Sequence, residues 1–396
     1  MDVLCPQHPP SSSASAGLVA QDESLVRLGI LGTANIARKN VLAAAPVSGL
    51  EFSAIASRSL DKAEAFAKEY NIAKAYGSYD ELLADEEIDA VYVPLPTTLH
   101  LEWVTKAAKA KKHVLCEKPC AVSGEELDRI LRVCEEEKVV FMDGVMFMHH
   151  DRLTALCDVL SPSKFGTEGP LHVASEFCFP GPASFFENNI RANPDCDFLG
   201  SLGDLGWYNI RFALFCFGWE LPQFAVGTTH VEAKGVPLDV SGSLTWSPIE
   251  TNSIKRARST TFHCSFMSAH QQYAVVSGSQ NSVRLEDFVI CHSNDKAGWE
   301  LRDSIKWSMD ENGSTIESSF TRGETGKCRQ ESKMLEGFRN YVNASKNGSA
   351  SVNFWPAVAL VTQLCVDAVM ESCQNGGAKV KVDKNGIFDA YLARTN

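Results

Sequence analysis

Basic residues are scarce in this chain relative to acidic ones. Against 49 Asp and Glu it carries 37 Lys and Arg, a formal charge of −12 over 396 residues. Phosphate backbones and anionic bilayers attract clustered positive charge, so the balance argues against a nucleic-acid or membrane partner. No apolar run approaches the roughly 20 residues needed to cross a bilayer. The first 25 residues are rich in Ser, Ala and Pro and hold no Lys or Arg. They lack the basic start and apolar core of a secretory peptide, and the arginines of an organelle transit peptide. A disordered tail (1–25) on a cytoplasmic protein is the expectation. The cysteines also lack a pattern: thirteen, an odd number, stand at irregular spacings. Without an export signal they read as reduced, buried thiols. Cys116 and Cys120 have no spaced histidines beside them, so no metal is expected. The Asn-x-Ser triplets at Asn312, Asn343 and Asn347 would matter only in a secreted protein. Internal repeats are absent too.

The remainder is ordinary globular composition, 44% hydrophobic and 22% charged, in a chain long enough for two cores. From Val26 to about Gly144 strands alternate with helices of ten to fifteen residues. The strands are Val26–Leu31, Phe52–Ala56, Ile88–Val93, His113–Cys116 and Val139–Met142. The helices between them are Ala34–Ala45, Asp61–Tyr70 (opened by an aspartate suited to capping), His100–Ala110 and Gly124–Glu137. This rhythm predicts right-handed crossovers and a doubly wound parallel sheet. After about His150 the period becomes two, in Val173–Phe179, Phe224–Val231, Val240–Trp246, Thr260–Phe266, Tyr273–Ser277 and Val283–Ile290. That predicts a large, mostly antiparallel sheet, with a helical insert at 201–217. Helices near Lys333–Ala344 and Trp355–Ser372 and a strand at Ala378–Val382 close the chain. The expected organisation is α/β: a Rossmann-type domain over 26–145 and an α+β domain over 146–396.

The most informative stretch is Val114-Leu-Cys-Glu-Lys-Pro119. Pro119 biases Lys118 toward extended backbone, placing the lysine at the carboxyl end of a parallel strand, where open α/β sheets bind ligands. The first strand leads into Gly32-Thr33-Ala34-Asn35-Ile36-Ala37. In a phosphate-binding turn these slots make the tight turn, admit the pyrophosphate and let the helix pack close. Only Gly32 is a glycine, but the strand–turn–helix position suits phosphate held at a helix N-terminus. The second strand ends in Ser57-Arg58. An arginine there can pair with a 2′-phosphate, with Ser57 adding a donor, which points to NADP; the alternative is Asp61 serving an NAD ribose. Pro96 and His100 follow the third strand and complete the candidate cofactor residues with Glu117 and Lys118. Asp204 and Tyr208, four apart in the helical insert, would share one helix face.

Together, Leu28-Gly-Ile-Leu-Gly-Thr-Ala-Asn-Ile-Ala37, Ile88-Asp-Ala-Val-Tyr-Val93, Pro96-Thr-Thr-Leu-His100 and His113-Val-Leu-Cys-Glu-Lys-Pro119 resemble the glucose–fructose oxidoreductase/inositol dehydrogenase-like (Gfo/Idh/MocA) family. The turn and Ser57-Arg58 are most similar to its NADP-using dihydrodiol and xylose dehydrogenase branch. Two positions depart from the pattern: alanine replaces a second glycine in the turn, and Thr97 stands where many members carry asparagine. The resemblance implies an active site between two domains, NAD(P)-dependent oxidation of sugars, polyols or cyclic diols, and a homodimer. It also implies that Tyr208 is the acid/base, with Asp204 orienting the substrate. An ammonium favours a phenolate, so Lys118 is expected to lower the Tyr208 value and steady the alkoxide. Phe177, Phe179, Phe185 and Phe186 would favour a less polar substrate if they reach the cleft, and Asn188, Asn189 and Arg191 offer hydroxyl-binding groups or loop support. Two other readings stand beside the enzyme. One is an NADP-binding sensor without catalysis, the other a structural subunit binding no cofactor.

Overall fold

The computed structural model describes residues 25–395, apart from 167, 252, 293–295, 304–305, 311–312, 318, 327–328 and 347–352. Residues 1–24 of the tail and the triplets at Asn312 and Asn347 therefore lie outside the described residues.

Six strands build the first sheet: β1 (Val26–Leu31), β2 (Leu50–Ala56), β3 (Lys74–Tyr76), β4 (Ala90–Val93), β5 (His113–Cys116) and β6 (Phe141–Asp143). They pair in parallel in the order β3-β2-β1-β4-β5-β6. Helices cover both faces of such a sheet, so its strands are apolar rather than alternating; every residue of β4 is buried, and all of β1 except Arg27. The order reverses between β1 and β4, and the crevice outside their carboxyl ends is where doubly wound sheets take ligands. Gly32–Ala34, Pro94–Thr97 and Glu117–Lys118 all emerge there.

The second sheet has nine strands, running Phe320–Thr325, Ala297–Arg302, Ser282–Leu285, Gln271–Ser277, His172–Cys178, Ser259–Ser265, Val236–Thr245, Phe224–Ala233 and Val380–Lys381. Only His172–Cys178 and Ser259–Ser265 pair in parallel; the rest of the sheet is antiparallel. Its inner face carries the segment Leu202–Cys216, a π-helical turn (Leu202–Gly206) running into an α-helix (Trp207–Cys216) buried along its whole length. Asn209 Nδ2 donates to Ser175 Oγ of that face at 2.9 Å. On the other side Arg211 Nη2 meets Asp143 Oδ2 of β6 at 2.6 Å, both side chains fully buried. One helix is thereby clamped between the two sheets.

Several expectations change. Ser59, not Asp61, is the N-cap of Leu60–Tyr70, and Asp61 sits in the first turn without capping it. The short β3 and the helix Tyr79–Leu83 have too few residues to show a period. The strand expected over Val283–Ile290 stops at Leu285, because buried Asp287 turns inward to accept from Arg152 Nη1 at 2.5 Å. Ala297–Arg302 and Phe320–Thr325 extend the sheet although their polar composition hides an alternation. The apolar-run count also needs correcting: Phe354–Gln374 is a 21-residue helix apolar enough to cross a membrane by length and composition. Here it is spent on protein, with Val358–Val366 buried as a core helix. All eleven cysteines among the described residues are free thiols.

Candidate active site

A cavity of about 770 Å³ opens at the β1/β4 switch point and is walled on its far side by the clamped helix segment. Ala34, Asn35, Ile36, Pro96, Glu117, Lys118, Asp204 and Tyr208 all line it, as do Phe177 and Phe179. Lys118, joined to Pro119 by a cis peptide bond, donates from Nζ to Asp204 Oδ1 at 2.5 Å and to the Asp204 carbonyl at 2.8 Å. Arg191 Nε reaches the same Oδ1 at 2.7 Å. Burial alone would raise the Asp204 carboxyl, but Arg191 and Lys118 outweigh it and hold it down at about 2. Asp204 and Tyr208 do face one cavity, across a π turn rather than along a regular α-helix. Single π turns of this kind recur at functional sites. A side chain at Gly203 would put its Cβ 2.9 Å from Pro119 Cγ and 2.6 Å from Leu199 Cβ, so only glycine lets the turn approach the lysine loop.

The expected role of Lys118 toward Tyr208 is overturned. Its ammonium lies over the face of the tyrosine ring, 4.8 Å from the centroid, while the hydroxyl donates to Met146 Sδ at 3.6 Å. Burial, followed by the charges of Glu117 and Asp204, pushes the phenol well above its ordinary value. Lys118 is already committed to Asp204. Phe177 and Phe147 pack edge-on against the tyrosine ring. Glu117 is anchored behind the lysine by Tyr92, whose hydroxyl donates to Oε1 at 2.6 Å, and burial raises its carboxyl.

His100 does not reach the cavity. It is 1% exposed, and its ring nitrogens lie 2.9 Å from the Leu95 carbonyl and 3.1 Å from the Cys120 carbonyl. It ties the loop after β4 to the loop after β5, a structural duty that replaces the expected cofactor contact. Gly32, Thr33, Ser57 and Arg58 sit at the ends of β1 and β2 but outside the cavity lining. Asn189 Oδ1 accepts from Arg191 N at 3.0 Å, and both residues also line the cavity; the Asn188 side chain lies outside the described residues. Phe185 and Phe186 pack on each other, 5.4 Å apart, away from the cleft.

The family model described as an oxidoreductase family with an NAD-binding Rossmann fold, GFO_IDH_MocA, matches residues 26–145. A trans-1,2-dihydrobenzene-1,2-diol dehydrogenase of Mus musculus is 31% identical over 273 residues, 69% of this chain and 73% of that protein. The chain belongs to the GFO_IDH_MocA oxidoreductase family. The D-xylose 1-dehydrogenase (NADP(+)) 2 of Haloferax volcanii is 41% identical over 216 residues, 54% of this chain and 64% of that protein. The chain thus spans less than two thirds of that relative. A solved 3-ketoreductase from Actinomadura kijaniata in complex with NADP is 25% identical, with a TM-score of 0.69, covering 88% of this chain and 98% of that one.

The family's dinucleotide fits the residues present. Helix α1 (Asn35–Ala44) starts at Ala34 with no side-chain cap and no acid in its first turn, leaving its leading N–H groups for an anion. Gly32 has φ +105°, and a Cβ there would lie 3.2 Å from Leu95 Cδ2. Arg58 is exposed with no ion pair among the described residues. Asp197 was missed by sequence reasoning. It is 4% exposed and lines the cavity, yet it sits in an irregular loop where no periodicity marks it. Also missed was His263 on the outer face of the large sheet, held between Glu176 Oε1 at 3.0 Å and Asp239 Oδ1 at 2.9 Å, with Cys178 beside it. Burial opposes its charge, but the two carboxylates prevail and raise it. Both ring nitrogens are taken, which makes this a charge network.

Proposed function

We propose that this protein is an NADP-dependent oxidoreductase acting between a CH–OH group and the corresponding carbonyl of a sugar, polyol or cyclic diol. The observation that carries the reading is the juxtaposition of Lys118, Asp204 and Tyr208 in one cavity facing the uncapped start of α1. A pure sensor has no chemical reason to keep that trio. Ala34, Asn35 and Ile36 would hold the pyrophosphate, and Ser57 and Arg58 the 2′-phosphate, in a nucleotide domain over 26–145. When bound, the nicotinamide supplies the two-electron chemistry. Tyr208 then exchanges the proton at the substrate oxygen. Its resting neutral phenol suits protonation of a carbonyl, so oxidation has to draw that proton out of a buried site. Lys118, oriented by Asp204, offers a positive charge to the developing alkoxide. The NADP-bound ketoreductase and the named dehydrogenase relatives support this reading.

The outer face of the nine-stranded sheet, with a hollow of about 430 Å³ lined by Glu176, Ser241, Ser243, Thr261, His263 and Tyr273, supports a homodimer built there. Free thiols support a reducing, cytoplasmic setting.

The test is NADP⁺ reduction, and NADPH oxidation with the matching ketones, across aldoses, inositols and dihydrodiols. Turnover is expected for at least one class, rising toward alkaline pH in the oxidative direction, with Tyr208→Phe lowering it by about 10²- to 10⁴-fold. Silence across the panel with NADP⁺ bound would favour the sensor, and a Tyr208→Phe variant at wild-type rates would remove the tyrosine from the mechanism.

A further inference from the structure

Alternate residues of a strand face the same side of its sheet. In His172–Cys178 this sets Phe177 on the inner face, in the cleft, and Glu176 and Cys178 together on the outer one. The neighbouring strand Ser259–Ser265 pairs with His263 opposite Glu176. The three side chains converge. His263 Nδ1 lies 3.0 Å from Glu176 Oε1, and Cys178 Sγ lies 3.6 Å from each of those two atoms. One nitrogen, one oxygen and one sulfur thus make a closed triangle. A tetrahedral zinc ion, with bonds of about 2.3 Å to sulfur and about 2.0–2.2 Å to nitrogen and oxygen, holds such ligands about 3.3 to 3.6 Å apart. Only the edge between His263 and Glu176 has to open, by about 0.3 Å.

The groups around the triangle are those a metal site needs. A histidine that binds a metal through one ring nitrogen gives its other N–H to a carboxylate, which fixes the ring. His263 Nε2 lies 2.9 Å from Asp239 Oδ1. The second Asp239 oxygen accepts from Ser265 Oγ at 2.7 Å, so the orienting carboxylate is itself held. Tyr273, opposite Glu176 on its other side, hydrogen-bonds the Glu176 carboxylate. The Glu176 and His263 side chains are 23% and 29% exposed and line the hollow of about 430 Å³. That gives an ion its way in and leaves room for water as a fourth ligand. Cys178 is fully buried, but an ion seated between the Glu176 and His263 atoms comes within bonding reach of its Sγ without Cys178 being exposed.

We propose that Glu176, Cys178 and His263 form a zinc site on the outer face of the large sheet, with water as the fourth ligand and Asp239 orienting the histidine. Thiolate, imidazole and carboxylate in a tetrahedral set select Zn²⁺ over magnesium and calcium, which take oxygen ligands in larger number. The ion displaces the proton on His263 Nδ1 and the proton of the Cys178 thiol. Two protons leave for one dication, so the net charge of the cluster is the same before and after. Without the ion, the same groups make the charge network around His263. All three ligands come from one chain, so the site is independent of the oxidoreductase reading and of whether two copies meet on this face. His263 stands 87 residues from Glu176, and no short motif spells the set in the sequence.

The experiment titrates the chelator-stripped full chain with Co²⁺, whose absorption reports its ligands, and then with Zn²⁺ in competition. One ion per chain is expected, with the intense ligand-field bands of tetrahedral cobalt and a thiolate-to-cobalt charge-transfer band, both removed by Zn²⁺. Asp239→Asn should weaken Zn²⁺ binding by about 10- to 100-fold with the tetrahedral spectrum kept. Cys178→Ser and His263→Gln should each weaken it further, and Cys178→Ser should abolish the charge-transfer band. Circular dichroism matching the wild type checks that each variant folds. The wild-type spectrum decides the matter even where a variant does not: no uptake at micromolar metal, or an octahedral spectrum without the thiolate band, overturns the site. A charge-transfer band that survives in folded Cys178→Ser overturns it too.

Discussion

At the scale of single residues, the state of each buried carboxyl in the cleft turns on whether a cation meets it. Lys118 and Asp204 have side chains 8% and 9% exposed, and the carboxylate is stabilised because two cations meet it at once. Asp197 lacks that contact, and burial, with Asp204 adding to it, pushes its carboxyl up to about 6 from an ordinary 3.8. A carboxyl raised on folding contributes stability that is complete below pH 3.8 and lost as pH rises through about 6. Asp197→Asn stays neutral throughout, so it is expected to melt above wild type at pH 8 and to converge with it near pH 4. At about 1.4 kcal/mol per unit, the gap at pH 8 should be about 3 kcal/mol in a pH series of melting curves. A constant difference at every pH would show that ionisation of Asp197 is not its source. Lys118 was legible from its proline and strand end; Asp197 was not, since nothing in Asn193-Pro-Asp-Cys-Asp197 says which acid turns inward.

At the scale of elements, the start of α1 and the segment Leu202–Cys216 do the positioning. The bare N-terminus of α1 is available because Ala34 cannot cap it. An aspartate there would cap the helix and set a negative charge against the phosphates. Ala34→Asp is therefore expected to weaken NADP⁺ binding at least tenfold in a fluorescence titration while leaving the melting temperature equal or higher. Unchanged affinity would remove the helix terminus from the cofactor site. The second element depends on Arg211, which bonds Asp143 at 2.6 Å and Thr362 Oγ1 at 2.7 Å. Such a fully buried pair joins the helix bearing Tyr208 to the strand beside Lys118. The four-residue spacing of Asp204 and Tyr208 foretold a shared face but not the π turn, which Gly203 and Gly206 allow by packing closely on Pro119 and Cys264.

At the scale of the whole molecule, two sheets meet with the cleft between them, and the outer face of the larger sheet carries an open hollow. Thr228, Thr261 and His263 lie on that face, where Glu176 and Asp239 keep His263 ion-paired. If a second copy covers it, a long charged side chain at its centre should separate the copies. Thr261→Arg is expected to shift the protein from dimer to monomer in analytical ultracentrifugation at micromolar concentration, with NADP⁺ affinity kept. A wild type that sediments as a monomer would end the proposal.

The local order of strands and helices over Val26–Asp143, apart from β3 and the helix Tyr79–Leu83, and the presence of Lys118 at a strand end, were determined by the sequence itself. Apolar runs buried on both faces leave a signal that needs no partner to be read. Only tertiary structure decided what Lys118 touches, that Tyr208 is kept a neutral phenol, that His100 serves two loops, and that Asp197 reaches the cleft. Each of these depends on burial and on groups far apart in the chain, Lys118 and Asp204 being 86 residues apart. A field built from such distant groups has no local pattern to carry it.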